Sequence, residues 1–152
     1  MVKENPDYTK LSLRHTLVED FPAIQAIERE AFPNPWPAEA FTDFLLPWGW
    51  TLLFEDEVVG YVFYHGADYE MVIINIAVKP QYHGLGWGDY LLAESMQLLM
   101  NKGVTRFYLD VRLSNLPAQA LYTKHGFKPL GVRKGYYSKP DEDALVMGKL
   151  IK

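Results

Sequence analysis

The sequence predicts an α/β or α+β protein with a mixed sheet, and three observations carry that expectation. Apolar runs of strand length alternate with segments of helical period along the chain, without an internal repeat or low-complexity tract. In the middle, a strand candidate, a glycine-rich connection, a strong helix and another strand follow one another, as in a parallel crossover. Before it, two strand candidates flank Glu55-Asp56-Glu57, which is hairpin spacing and implies antiparallel pairing.

The elements follow in order. Leu11 to Leu17 alternates and reads as the first strand. Asp20 before Phe21-Pro22 suits an N-cap with proline in the first helical turn. Ile24, Ile27 and Ala31 then continue a helix to about Phe32. Pro33, Pro35 and Pro37 make the next stretch a stiff loop. A second short helix is expected from Ala38 to about Leu46. Strands are expected at Thr51 to Phe54, Val58 to Tyr64 and Glu70 to Val78, the last being the most apolar and so central. A helix from about Gly88 to Lys102 buries Leu92, Met96 and Leu99, and Gly103 suits its left-handed stop. Arg106 to Val111 reads as a strand. Asn115 caps a helix that runs to His125 and stops at Gly126. Strands near Lys128 to Arg133 and Ala144 to Leu150 close the chain. The order counts seven strands and about four helices.

Composition narrows the function. The chain has 152 residues, 49% hydrophobic and 22% charged, which suits one domain over residues 11–152 after a loose segment, 1–10. There are no cysteines, so thiolate nucleophiles, disulfides and cysteine metal sites are excluded. His15, His65 and His125 are widely spaced and show no ligand pattern, so no metal is expected. The net charge is −4 with no basic stripe, which argues against nucleic acid. No apolar run reaches bilayer length, so no membrane partner is expected, and a cytoplasmic setting is the simplest expectation.

His83-Gly84-Leu85-Gly86-Trp87-Gly88 lies between a strong strand and a strong helix. Unpaired N–H groups at a helix start carry partial positive charge, and glycines let a phosphate approach them. The dinucleotide pattern fails here because position 89 is Asp, and no Gly-Lys-Ser/Thr ends the run as in a P-loop. On the glycines alone, a flexible strand-to-helix connection is slightly the better explanation.

Ile76 to Gly88, followed by Leu91-Leu92, resembles the acetyl-CoA motif of the GNAT acyltransferase superfamily, Arg/Gln-x-x-Gly-x-Gly/Ala. Two registers are possible, one starting at Gln81 and one at His83; the His83 register is preferred because the lead-in then falls on Val78, Pro80 and Tyr82, and His there replaces Arg or Gln. Tyr108 to Asn115, Ala120-Leu121-Tyr122, Gly126-Phe127, Arg133 to Tyr137, Glu142-Asp143-Ala144 and Ala31-Phe32-Pro33 with Trp36 resemble the RimI group of ribosomal-protein-alanine N-acetyltransferases. The resemblance implies a mostly antiparallel GNAT-like sheet and acetyl-CoA as cofactor. It implies cofactor binding by Ile76, Ala77 and Val78 through their backbone, by His83, Gly84, Leu85, Gly86, Trp87, Gly88 and Asp89, and by Asn115 and Tyr122. The acceptor groove would hold Trp36, Tyr136 and Tyr137.

The chemistry needs a neutral amine, a stabilised oxyanion and a protonated leaving thiolate. An α-amino group titrates near ~7.8, whereas a lysine near ~10.4 carries a further penalty of about 3.5 kcal/mol. An N-terminal acceptor, such as that of a ribosomal protein, therefore needs less help. By the resemblance, Asp110 is the base and Tyr122 the acid. The matching position of that group carries Glu, one methylene longer than Asp110. An ordinary aspartate is a weak base at neutral pH, so burial or an intervening water is needed. The alternatives are a small amine or a lysine as acceptor, or an acyl-CoA-binding module without catalysis. A monomer or weak homodimer is expected.

Overall fold

The computed structural model describes residues 8–151. Most of the segment expected to be loose therefore lies outside the described residues, and Tyr8–Lys10 form a 3-10 turn. Among the described residues seven strands are ordered β1-β2-β3-β4-β5-β7-β6; β4 pairs in parallel with β5, whereas β1 with β2, β2 with β3, β5 with β7 and β6 with β7 are antiparallel. These are β1 (Leu11–His15), β2 (Gly49–Phe54), β3 (Glu57–Ala67), β4 (Glu70–Val78), β5 (Arg106–Arg112), β6 (Lys128–Tyr137) and β7 (Glu142–Leu150). Among the described residues three α-helices accompany them: α1 (Phe21–Ala31), α2 (Trp87–Met100) and α3 (Leu116–Lys124). Among the described residues no helix is long and apolar enough to cross a membrane.

The helix expected over Ala38 to Leu46 is absent, so about four helices becomes three. Two 3-10 turns, Ala38–Ala40 and Asp43–Leu45, replace it, with Thr42 extended between them at φ −126° and ψ 172°. The stretch lies between Pro37 and Pro47, and the residue before a proline is biased away from the helical region. Burying Phe41 and Leu45 holds the turns in place instead.

Packing groups the chain into two compact units. One holds the described residues up to Tyr64, with Asn75–Leu98. In it β1, β2 and β3 pair antiparallel, with Leu11 opposite Phe54 and Trp50 opposite Val62. Its core holds Ile24, Ile27, Leu52, Phe63, Leu91 and Leu92, all buried. Trp50 packs between the rings of His15 and Tyr64, which assigns this tryptophan to the core. Pro22 sits in the first turn of α1 as expected. The Asp20 carboxylate does not cap that helix, however. It accepts from the Leu17 N–H at 2.8 Å and from both terminal nitrogens of Arg14 at 2.6 and 2.8 Å.

The other unit holds His65–Ile74 and the described residues from Leu99 on. Glu70 to Ile73 pair in parallel with Arg106 to Leu109, and β7 pairs antiparallel with both β5 and β6. Phe107, Leu109 and Val111 alternate inward along β5, so Tyr108, Asp110 and Arg112 share its less buried face. α2 ends just before Gly103 and α3 just before Gly126, where stops were expected.

Candidate functional site

In the first unit, the connection from β4 to α2 is pinned at both ends. His83 Nε2 donates to the Val78 carbonyl at 2.8 Å, closing the loop onto the end of β4. Trp87 is buried at the first turn of α2, its ring stacked on Tyr82 at 4.5 Å and on Phe54 at 4.9 Å. Between these anchors Gly84 and Gly86 take φ of +81° and +85°, left-handed values that a side chain would strain. A Cβ placed on Gly88 would meet nothing within 4 Å, so open space stands over the first turn of this 14-residue helix. Leu85 and Asp89 are half-buried beside it. Left-handed glycines, the start of a 14-residue helix and an open Gly88 fit a diphosphate held by backbone. Val78, His83 and the glycines are thus brought together.

The same unit places Trp36 and the preceding end of β4 around a carboxylate that sequence reasoning missed. Glu28, on the buried face of α1, accepts from the Tyr61 hydroxyl, from Asn75 Nδ2 at 2.5 Å and from the Trp36 N–H at 2.8 Å. Asn75 Oδ1 in turn accepts from the Ile76 N–H at 3.1 Å. Of the backbone donors expected from Ile76, Ala77 and Val78, that of Ile76 is therefore engaged. The Trp36 ring stacks near Phe63 at 6.4 Å and packs against Phe41 at 5.8 Å. The signal for Glu28 was a charge on the apolar stripe of Ile24, Ile27 and Ala31. For Asn75 it was one amide in the most apolar strand.

In the second unit, β5 presents Asp110, whose Oδ1 accepts from Arg133 Nε at 3.1 Å. Its side chain is 21% exposed, against 58% for Arg133. Tyr122 lies buried on α3, its ring edge-on to Phe127 at 5.7 Å. Burial first, and then Tyr137, raise the Tyr122 phenol well above the ordinary tyrosine range. Tyr137 is pushed up to about 12 by burial, followed by the negative charge of Asp110. Asp110, Tyr137 and Tyr122 thus form one electrostatic neighbourhood. Tyr136 stands edge-on to Tyr137 at 5.0 Å and is exposed.

Arg112, another residue the sequence did not single out, organises this cluster. Its guanidinium lies 4.4 Å from the Tyr137 ring and donates to the carbonyls of Ser138 and Pro140 and to Glu142. Glu142 accepts from the Ser114 N–H at 2.7 Å, tying the β6–β7 connection to the segment before α3. Asn115 caps α3 by accepting from the Ala118 N–H at 3.2 Å, the structural role its position predicts. Among the described residues no three His, Cys, Asp or Glu side chains are grouped to hold a metal.

Comparison with known proteins follows the same lines. A family model described as the acetyltransferase (GNAT) family matches residues 21–127. A Bacillus subtilis protein provisionally named a ribosomal protein bS18-alanine N-acetyltransferase is 38% identical over 143 residues, covering 91% of this chain and 95% of its own length. The Haemophilus influenzae ribosomal protein bS18-alanine N-acetyltransferase is 33% identical over 139 residues, covering 84% of this chain and 90% of its own. The crystal structure of the ribosomal-protein-S18-alanine N-acetyltransferase from Escherichia coli superposes with a TM-score of 0.85 at 30% identity, covering 93% of this chain and 94% of that one. With the glycine cradle at the start of α2 and a family match over more than half its length, this chain belongs to the acetyltransferase (GNAT) family and is an N-acetyltransferase that uses acetyl-CoA.

Proposed function

We propose that the enzyme acetylates the N-terminal α-amino group of a protein, a ribosomal protein in particular, in the cytoplasm, with residues 11–152 serving as one transferase domain. The observation that supports this acceptor is the near full-length similarity to relatives named ribosomal protein bS18-alanine N-acetyltransferase. Acetyl-CoA supplies an activated acetyl thioester. The backbone of Gly84, Gly86 and Gly88 and the N-terminal amides of α2 would hold its diphosphate, with His83, Leu85, Trp87 and Asp89 shaping that cradle. Ala77 and Val78 would offer backbone donors toward a developing oxyanion, and Asn115 would add a polar contact.

Asp110 accepts the proton of the incoming ammonium, directly or through a water. Its partner Arg133 is largely exposed and on a long flexible stem, so the carboxylate can exchange that contact for an amine. Tyr122 keeps its proton throughout the neutral range, so it would meet a leaving thiolate as a hydrogen-bond donor, with close positioning required for the proton to transfer. Trp36 in the first unit and Tyr136 and Tyr137 in the second are each assigned a role in acceptor binding. The test is mass spectrometry of a peptide panel incubated with acetyl-CoA. Acetylation at the α-amino group of an alanine-initiated peptide, ahead of lysine side chains, polyamines and aminoglycosides, is the expected result. Turnover of the free amines with untouched peptides would overturn it.

A further inference from the structure

Glu28 is 2% exposed and has no part in the chemistry above. Its oxygens are divided. Oε1 receives the Tyr61 hydroxyl and Asn75 Nδ2, while Oε2 receives the Trp36 N–H. Burial first, and then the adjacent Glu28, raise the Tyr61 phenol far above the ordinary tyrosine range, so Tyr61 keeps its proton and donates. A carboxylate only accepts, so Asn75 must turn its NH2 toward Glu28. Its Oδ1 is then left facing the Ile76 N–H. One side chain therefore sets the backbone of the Trp36 loop, the amide plane of Asn75 and the N–H at Ile76.

We propose that Glu28 is a positioning residue for the acceptor, holding the Trp36 loop and the Asn75–Ile76 end of β4 in one fixed arrangement; this rests on the reading of Trp36 as an acceptor-groove residue. The donor count makes the carboxylate hard to replace. With Gln at 28, either its NH2 faces the Trp36 N–H, or it faces Asn75. In the second case Asn75 must flip and point its own NH2 at the Ile76 N–H. Each orientation leaves one donor facing another, which is unfavourable in a buried site. The Trp36 N–H belongs to a half-buried loop that can turn to water, so the loop is the part that yields. Asn75→Asp alone would set two carboxylates against each other. The pair Glu28→Gln with Asn75→Asp restores an acceptor for the Trp36 and Ile76 N–H groups and for the Gln amide, and the Tyr61 hydroxyl, 3.4 Å from Asn75 Nδ2, turns to the carboxylate now at position 75. Gln Nε2 then donates to Asp, Gln Oε1 accepts from Trp36, and the second Asp oxygen accepts from Ile76.

The experiment compares wild type, Glu28→Gln, Asn75→Asp and the double variant, below the melting temperature of each. It measures KM for an alanine-initiated peptide, KM for acetyl-CoA, and amide hydrogen exchange at Trp36 and Ile76. Losing one hydrogen bond to a charged group should raise the peptide KM of Glu28→Gln about tenfold and speed Trp36 exchange about tenfold. The acetyl-CoA KM should stay within about twofold, and the double variant should return to within about threefold of wild type. An unchanged peptide KM, an equal rise in both KM values, or a double variant no better than Glu28→Gln would overturn the inference. If the wild type acetylates no N-terminal peptide, the acceptor assignment fails on its own. Trp36 exchange then decides, and unchanged exchange in Glu28→Gln overturns the positioning role. Should Glu28→Gln fail to fold, the double variant alone decides, by recovering both readouts or not.

Discussion

Two carboxylates, one in each unit, meet very different surroundings. Glu28 is buried among three donors from three separate elements, each to a neutral group. Asp110 stands on the less buried face of β5 and is held by Arg133, whose side chain is mostly in solvent. A carboxylate saturated by rigid neighbours cannot receive a substrate amine without breaking them. One that shares a flexible surface cation can, because such pairs are worth only about 0–1 kcal/mol. Burial thus makes one acid a positioning element, and partial exposure leaves the other open to chemistry.

The sharpest way to break this contrast is to neutralise the open carboxylate. Asp110→Asn should lower kcat by about 10²–10⁴-fold, the range for losing a positioned base. Acetyl-CoA affinity, measured by calorimetry, should be unchanged. A variant with near wild-type turnover would remove Asp110 from the mechanism. Tyr122→Phe comes next, lowering kcat by about 10²-fold as the acid is lost. Stopped-flow measurement of thiol release checks it, and a change confined to peptide KM would argue for packing alone.

A third carboxylate sharpens the comparison through pH. Burial alone would raise the Asp20 carboxyl, but hydrogen bonds from Arg14, the Leu17 N–H and Thr51 outweigh it and hold it below its ordinary value. A depressed native value means the stabilisation is complete above the usual carboxylate range. It is lost as pH falls through the native value of Asp20. Asp20→Asn should therefore cost about 1–3 kcal/mol at neutral pH and flatten the acid limb of a stability–pH curve. Urea unfolding from pH 3 to 7 would read this, and parallel curves for both proteins would refute it.

Smaller effects follow. Gly88→Val has room in the protein itself, so thermal stability should hold while acetyl-CoA affinity drops about tenfold from crowding the cradle. An equal affinity would place the diphosphate elsewhere. Arg133→Gln should change stability by less than about 1 kcal/mol and kcat by only a few-fold, since the pair it breaks is exposed. A loss as large as that of Asp110→Asn would show that Arg133 does more than shield the carboxylate.

Period and punctuation made much of this protein legible from its residues alone. The alternation of Phe107, Leu109 and Val111, the Leu92, Met96 and Leu99 stripe and the stops at Gly103 and Gly126 depend on neighbours within a few positions. The glycine loop was legible for the same reason, because left-handed backbone and a helix start are local demands. What only the tertiary structure decided were pairings across long separations. Phe41 and Leu45 settle on the core through two turns where propensity suggested a helix, since packing outweighs weak local preference. Glu28 meets Asn75 across 47 positions and Asp110 meets Arg133 across 23, and no local pattern states which distant donor a carboxylate will find. The sequence marked a charge on an apolar face and an acid at a strand end. The fold chose their partners, because a partner is set by which backbones are brought within hydrogen-bond reach.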